Sequence, residues 1–138
     1  MGRVLALDYG LKRTGIAVSD PLRIIATALD TVETALLFKF LKTYFGREQV
    51  DLVVIGLPKK LNNTDSEIAP QVRTFVEKFR TTFQAIPIST VDERFTTALA
   101  HRAMIEGGMK KKDRRVKGAA DRISATLILQ DYLQSIKA

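Results

Sequence analysis

The sequence predicts an α/β fold: a mixed five-stranded sheet, antiparallel across its first three strands and parallel thereafter, with helices on both faces. Three observations predict it. Three strand-like runs follow one another before any helical spacing begins, which suits an antiparallel meander. Helical and strand patterns then alternate, and helical crossovers make the later pairings parallel. Finally, the runs over 3–8 and 51–56 are apolar on both faces, so both faces of the sheet must be covered.

The elements follow in order. Residues 3–8 form the first, central strand. Gly10 and Gly15 bracket a turn, and 15–19 is the returning strand. A third strand covers 24–31. Leu36, Leu37, Phe40, Leu41 and Tyr44 recur at helical spacing, predicting a helix over 33–45 that stops at Gly46. Residues 51–56 are the second buried strand, ended by Leu57-Pro58. After the polar loop KKLNNTDSE comes a helix over 68–83, with Val72, Phe75, Val76 and Phe79 on one face. Residues 86–91 make the fifth strand, where Pro87 is tolerated near the start. Helices over 96–106 and 116–136 complete the chain.

Composition narrows the function classes. A chain of 138 residues suits one domain, 1–138, with enough apolar sequence to build its own core. It has no cysteine, so disulfides and thiolate metal sites are excluded. The four-residue apolar run before Asp8 is too short for a signal peptide, and no run approaches the roughly 20 residues of a membrane span. A cytoplasmic protein with no membrane partner is expected. The net charge of +7 favours an anionic partner, nucleic acid first. GGMKKKDRRVKG, residues 107–118, concentrates six basic residues against one Asp behind two glycines and reads as a loop.

Three acidic positions stand out. Asp8 ends a buried strand, although Asp suits strands poorly and is expensive to desolvate without a partner. It either stabilises a turn at Tyr9-Gly10 or meets a cation. The stretch Gly10–Gly15 imitates half of a P-loop but lacks its Lys-Ser/Thr ending and its following helix. Asp92 and Glu93, at the end of the fifth strand, fall on opposite sides, so only one shares a face with Asp8. The plain alternative there is a surface turn paired to Arg94, followed by Thr96 and Thr97 as helix caps. Asp121 is in register with Ala125, Ile128 and Tyr132, and so faces the protein body. Its plain alternatives are a surface pair with Lys117 and a first-turn position near the helix dipole.

Two strand-end carboxylates and one on the inner face of a helix could converge at one sheet edge, where open α/β sheets place their ligands. Crowded carboxylates repel, and divalent cations remove that repulsion. Oxygen-only ligation suits Mg²⁺ or Mn²⁺. Two such ions support phosphodiester hydrolysis, with Lys12, Arg13, Arg94 and Lys117 placed to meet phosphates. Lys110, Lys111, Lys112, Arg114 and Arg115 of the basic loop would clamp the backbone, and that loop could order on binding. His101 reads as a helix surface residue. Tyr9 reads equally as core or as a platform for a base or sugar.

LALDYGLKRTGIAVSDP, VVIGLP, VDERFTT and KGAADRISATLILQDYL, in that order, resemble the YqgF family, also called RuvX, over essentially the whole chain. The resemblance implies an RNase H-like fold and carries the family's acidic site positions onto Asp8, Glu93 and Asp121. It also implies nuclease activity maturing the 5′ end of pre-16S ribosomal RNA, or alternatively Holliday-junction resolution. One departure is Lys59–Thr64, where many members have an acidic-glycine turn; substrate choice is the property it bears on. The substrate expectation is structured or single-stranded RNA first and a DNA junction second, for a monomer or weak homodimer. From other classes, an actin-like nucleotide-binding module would need two such domains, and a non-catalytic nucleic-acid-binding protein would not need all three carboxylates.

Overall fold

The computed structural model describes residues 2–57, 68–92 and 117–136. Five strands form one sheet in the order β3-β2-β1-β4-β5. They are β1 (Arg3–Asp8), β2 (Arg13–Ser19), β3 (Ala26–Glu33), β4 (Val50–Leu57) and β5 (Ile88–Asp92). β1 pairs antiparallel with β2 and β2 with β3, whereas β1–β4 and β4–β5 are parallel. This is the expected mixed sheet. The helices are α1 (Leu37–Arg47), α2 (Ala69–Thr82) and α3 (Lys117–Ser135).

β1 is buried on both sides because its residues feed two separate cores. Leu5 and Leu7 join Ile16, Leu41, Val72, Phe75 and Phe79 beneath α1 and α2. Val4 and Ala6 join Ala17, Val54, Ala125, Ile128, Leu129 and Leu133 beneath α3. The α3 face of the sheet is built from small residues at its centre, Ala6 against Ala17, so the helix can approach closely. Each large aliphatic side chain buried this way contributes about 1.5–3 kcal/mol. No helix among the described residues is long and apolar enough to cross a membrane.

The second strand starts earlier than expected, at Arg13, and the fifth runs over Ile88–Asp92, not 86–91. Three other boundaries differ from the sequence expectation for a visible cause. The third strand starts at Ala26 and ends at Glu33, because Ile24 and Ile25 are taken up by a turn. There Asp20 Oδ1 accepts the Ile24 and Ile25 N–H groups at 2.7 and 2.8 Å. The first helix starts at Leu37, after a single 3-10 turn over Thr34–Leu36. β3 keeps pairing with β2 as far as Glu33, opposite Arg13, which delays the helix. Gly46 does not stop that helix. It lies inside the last turn, the Glu48 N–H still reaches the Tyr44 carbonyl at 2.9 Å, and Glu48 leaves the helix in extended conformation. The helix expected over 96–106 lies outside the described residues.

Carboxylates also tie the sheet's far end. Asp51 accepts the Gly2 N–H at 2.8 Å, Gln49 Nε2 at 3.1 Å and Arg23 at 3.2 Å. The Gly2 hydrogen bond foremost holds the Asp51 carboxyl below its usual range; the Ile25 N–H does the same for Asp20. Both groups are depressed in the fold, so the stability they contribute is complete above their unfolded value of about 3.9 and is lost as pH falls through the folded value. Stability measured by urea denaturation is therefore expected to drop as pH falls below about 4, with a shallower drop in Asp51→Asn. In the core, Phe79→Ala is expected to lose about 3–5 kcal/mol in the same assay, against less than about 0.5 for Lys39→Ala on the exposed side of α1.

Candidate functional site

Strand alternation sets the geometry. Asp8 continues the Val4–Ala6 series, so the last residue of β1 stands on the α3 side of the sheet. It is 8% exposed and lies opposite Gly15, which has no side chain to cover it. Tyr9 follows on the other side and packs against the α1/α2 core.

α3 runs antiparallel to β1. Leu133 and Gln134, near its end, border a cavity with Ile24 and Ala26. Ala26 pairs with Ser19, whose hydroxyl accepts the Val4 N–H at 2.9 Å. The last turns of α3 thus sit at the start of β1. From Leu133 back to position 121 the helix spans about 18 Å, while β1 from Val4 to Asp8 spans about 13 Å. The start of α3, with position 121 one turn before the buried Ala125, therefore lies toward the Asp8 end of β1. The first turn of α3 holds no acidic residue, because the helix starts at Lys117 and position 121 falls in the second turn. The expectation of a first-turn dipole position for Asp121 is thereby corrected.

The end of β5 adjoins the same edge. Leu7, Ile55 and Thr90 share a row across β1, β4 and β5, which sets Val91 level with Asp8. Val91 packs into the α3 core, whereas Ile88 packs into the opposite one. Glu93 itself lies outside the described residues, as do Arg94, His101, the Lys59–Thr64 loop and Lys110, Lys111, Lys112, Arg114 and Arg115 of the basic loop. Lys117 opens α3. No cluster of three or more metal-ligating side chains occurs among the described residues. The donor chemistry at Asp8, a nearly buried carboxylate at a sheet edge, fits a hard divalent cation.

Beyond Asp8, the loop between β1 and β2 presents Lys12, exposed, and β2 opens on Arg13, half-buried. Thr34 pins this loop, and sequence reading missed it. Its hydroxyl donates to the Gly10 carbonyl at 2.5 Å, and its backbone N–H donates to the Lys12 carbonyl at 2.9 Å. With that hydroxyl proton committed to Gly10, the Thr14 hydroxyl is the donor in the 2.9 Å contact with Thr34 Oγ1. Gly10 is required here because a Cβ would collide with the Arg13 carbonyl oxygen. No sequence signal marked Thr34, which read as the first turn of a helix.

Two clefts flank the loop. One, of about 450 Å³, is bordered by Leu11, Lys12, Arg13, Glu33 and Ala35. The other, of about 530 Å³, lies on the α1/α2 side, away from the carboxylate end of α3, and Tyr9 and Phe38 border it. The Tyr9 ring is 5.2 Å from that of Phe75, and burial pushes its phenol up, so it stays neutral at working pH. Tyr9 is therefore both a core contact and a cleft wall.

With this geometry in place, the chain can be compared with known proteins. It matches the family RuvX, described as Holliday junction resolvase, over residues 2–135. A protein of Bacteroides thetaiotaomicron named "Putative pre-16S rRNA nuclease" is 52% identical over 98% of each chain. Proteins of the same name from Parabacteroides distasonis and Phocaeicola vulgatus are 52% and 51% identical, covering 99% of this chain and 98% and 99% of theirs. The solved structure of YeaZ from Pseudomonas aeruginosa aligns with a TM-score of 0.43 at 20% identity, over 78% of this chain and 50% of that one.

Thr34→Val removes both side-chain hydrogen bonds while keeping the shape. It is expected to lose about 1–2 kcal/mol in urea denaturation and to speed amide exchange at Lys12 and Arg13.

Proposed function

The chain belongs to the RuvX family, and on that premise we propose that it is an endonuclease that hydrolyses phosphodiester bonds at the 5′ end of pre-16S ribosomal RNA. The single observation that supports the site assignment is the burial of Asp8 at the end of β1, on the sheet face that α3 covers. Glu93 joins Asp8 on the alternation that gives Val91 to the α3 core, since position 93 repeats its parity. Asp92 has the parity of Ile88 and is set aside.

Asp8, Glu93 and Asp121 would hold Mg²⁺ or Mn²⁺, probed below in both forms. When bound, a pair of such ions supplies an activated water and stabilises the leaving oxygen. The chain's own residues do the rest. Asp8 is held in place at the end of β1 by the ladder to β2. Lys12 and Arg13 offer charge to the phosphate backbone from a loop that Thr34 fixes. Arg94, Lys110, Lys111, Lys112, Arg114, Arg115 and Lys117 extend this contact along the strand. The protein works in the cytoplasm as a monomer or weak homodimer. The family description favours a second reading, resolution of four-way DNA junctions, which requires a symmetric dimer to place two cuts.

The deciding experiment compares wild type with Asp8→Asn and Asp121→Asn, with Mg²⁺ or Mn²⁺, on a pre-16S 5′ leader RNA and a four-way DNA junction. RNA cleavage reduced about a hundredfold or more in either variant is expected. Cleavage of the junction alone would replace the RNA reading by the second one. Cleavage undiminished in Asp8→Asn would overturn the site. Binding of single-stranded RNA should also weaken steeply with salt, and Lys12→Ala should lower the slope of log affinity against log salt by about 0.7.

A further inference from the structure

The cleft of about 530 Å³ lies on the other side of β1 from the proposed carboxylate site, and nothing so far uses it. Its volume falls in the range of small-ligand sites. Its floor is aromatic: the Phe38 and Tyr9 rings lie 5.1 and 5.2 Å from the buried Phe75 ring. Lys78 Nζ stands 4.7 Å from the Phe38 centroid and leaves a cation at the mouth. Gln71 brings an amide to the walls, and Thr74, whose hydroxyl donates to the Pro70 carbonyl at 3.0 Å, brings an acceptor oxygen. Leu11 and Ala35 border both this cleft and the one beside Lys12 and Arg13, so the two adjoin across the pinned loop. Glu33 also borders the second cleft, opposite Arg13 in the β2–β3 ladder.

Flat aromatic walls, polar groups able to meet a base edge, and cations on either side are complementary to one nucleotide and to neither a lipid chain nor an acidic peptide. We infer that this cleft seats the base of an unpaired nucleotide next to the cut, with Lys78 on one side of it and the phosphate-facing Lys12 and Arg13 on the other. Asp8 and Tyr9 are consecutive. A single strand draped over the carboxyl end of the sheet therefore meets the acidic positions on one side of β1 and the cleft on the other. This inference rests on the nuclease reading. In it, Tyr9 and Phe38 are binding residues that fix which phosphate reaches Asp8.

The test uses the full chain carrying Asp8→Asn, so that RNA is bound without being cut. Single-stranded oligoribonucleotides of the leader sequence carry 2-aminopurine at one position each, and fluorescence reports stacking. Quenching confined to one position, or to two adjacent ones, is expected. Thr74→Trp, an exposed α2 position chosen to fill the cleft, should abolish that quenching and weaken binding about tenfold. Lys78→Gln should weaken binding severalfold at low salt. Quenching spread evenly along the strand, or surviving Thr74→Trp in a protein with an unchanged circular dichroism spectrum, would overturn the subsite. RNA cleavage by wild type with no local quenching would overturn the subsite alone. Neither cleavage nor binding of RNA would overturn the nuclease reading with it.

Discussion

Everything at the candidate site depends on one constraint, the burial of β1 on both faces. A strand in the middle of a sheet has no freedom to slip by one residue, because a slip would exchange its two cores. Leu5 and Leu7 fill the thick, aromatic-rich core under α1 and α2, and Val4 and Ala6 fill the shallower one under α3. Neither set fits the other's place. The two residues that end the strand inherit this lock, so Asp8 and Tyr9 are delivered to opposite sides without any contact of their own being needed to choose.

The two faces differ in chemistry as well as in depth. The α3 face is small and aliphatic around Ala6, Ala17 and Ala125, so the helix packs close against the sheet. The α1/α2 face carries an aromatic cluster in which Phe38, Phe45, Phe75, Phe79 and Phe83 meet at centroid distances of 5.0 to 6.2 Å. One face thus ends on a nearly buried carboxylate, and the other is lined by aromatic rings. Net charge of +7 surrounds both with an attractive field for a polyanion.

Much of this was legible in the sequence, for identifiable reasons. Continuous apolar runs announced β1 and β4, and the spacing of Val72, Phe75, Val76 and Phe79 announced the inner face of α2, because burial leaves its period in the residue types. The position of Asp8 at a strand end could be read directly, and so could the stripe that carries Asp121. The boundaries near Ile24, Thr34 and Gly46 could not. Each is decided by a particular hydrogen-bond partner and not by residue type: the Asp20 carboxylate, the β2 ladder at Arg13, and the carbonyl of Tyr44. Thr34 was illegible for the same reason, since its role exists only once Gly10 and Lys12 have been brought against it. Which of the two alternating sides of β5 shares a face with Asp8 needed the register of β5 against β4, which no local pattern contains.

The double tether on Thr34 joins the Lys12 loop to the end of an edge strand. β3 has a neighbour on one side only, and edge strands are where a sheet frays first. Whenever the last residues of β3 come away from β2, both tethers go slack together. The loop then loses its fixed carbonyls at Gly10 and Lys12 in a single event. The rigidity of the loop that carries Lys12 is thus borrowed from the margin of the sheet, and its lifetime is that of the margin's closed state.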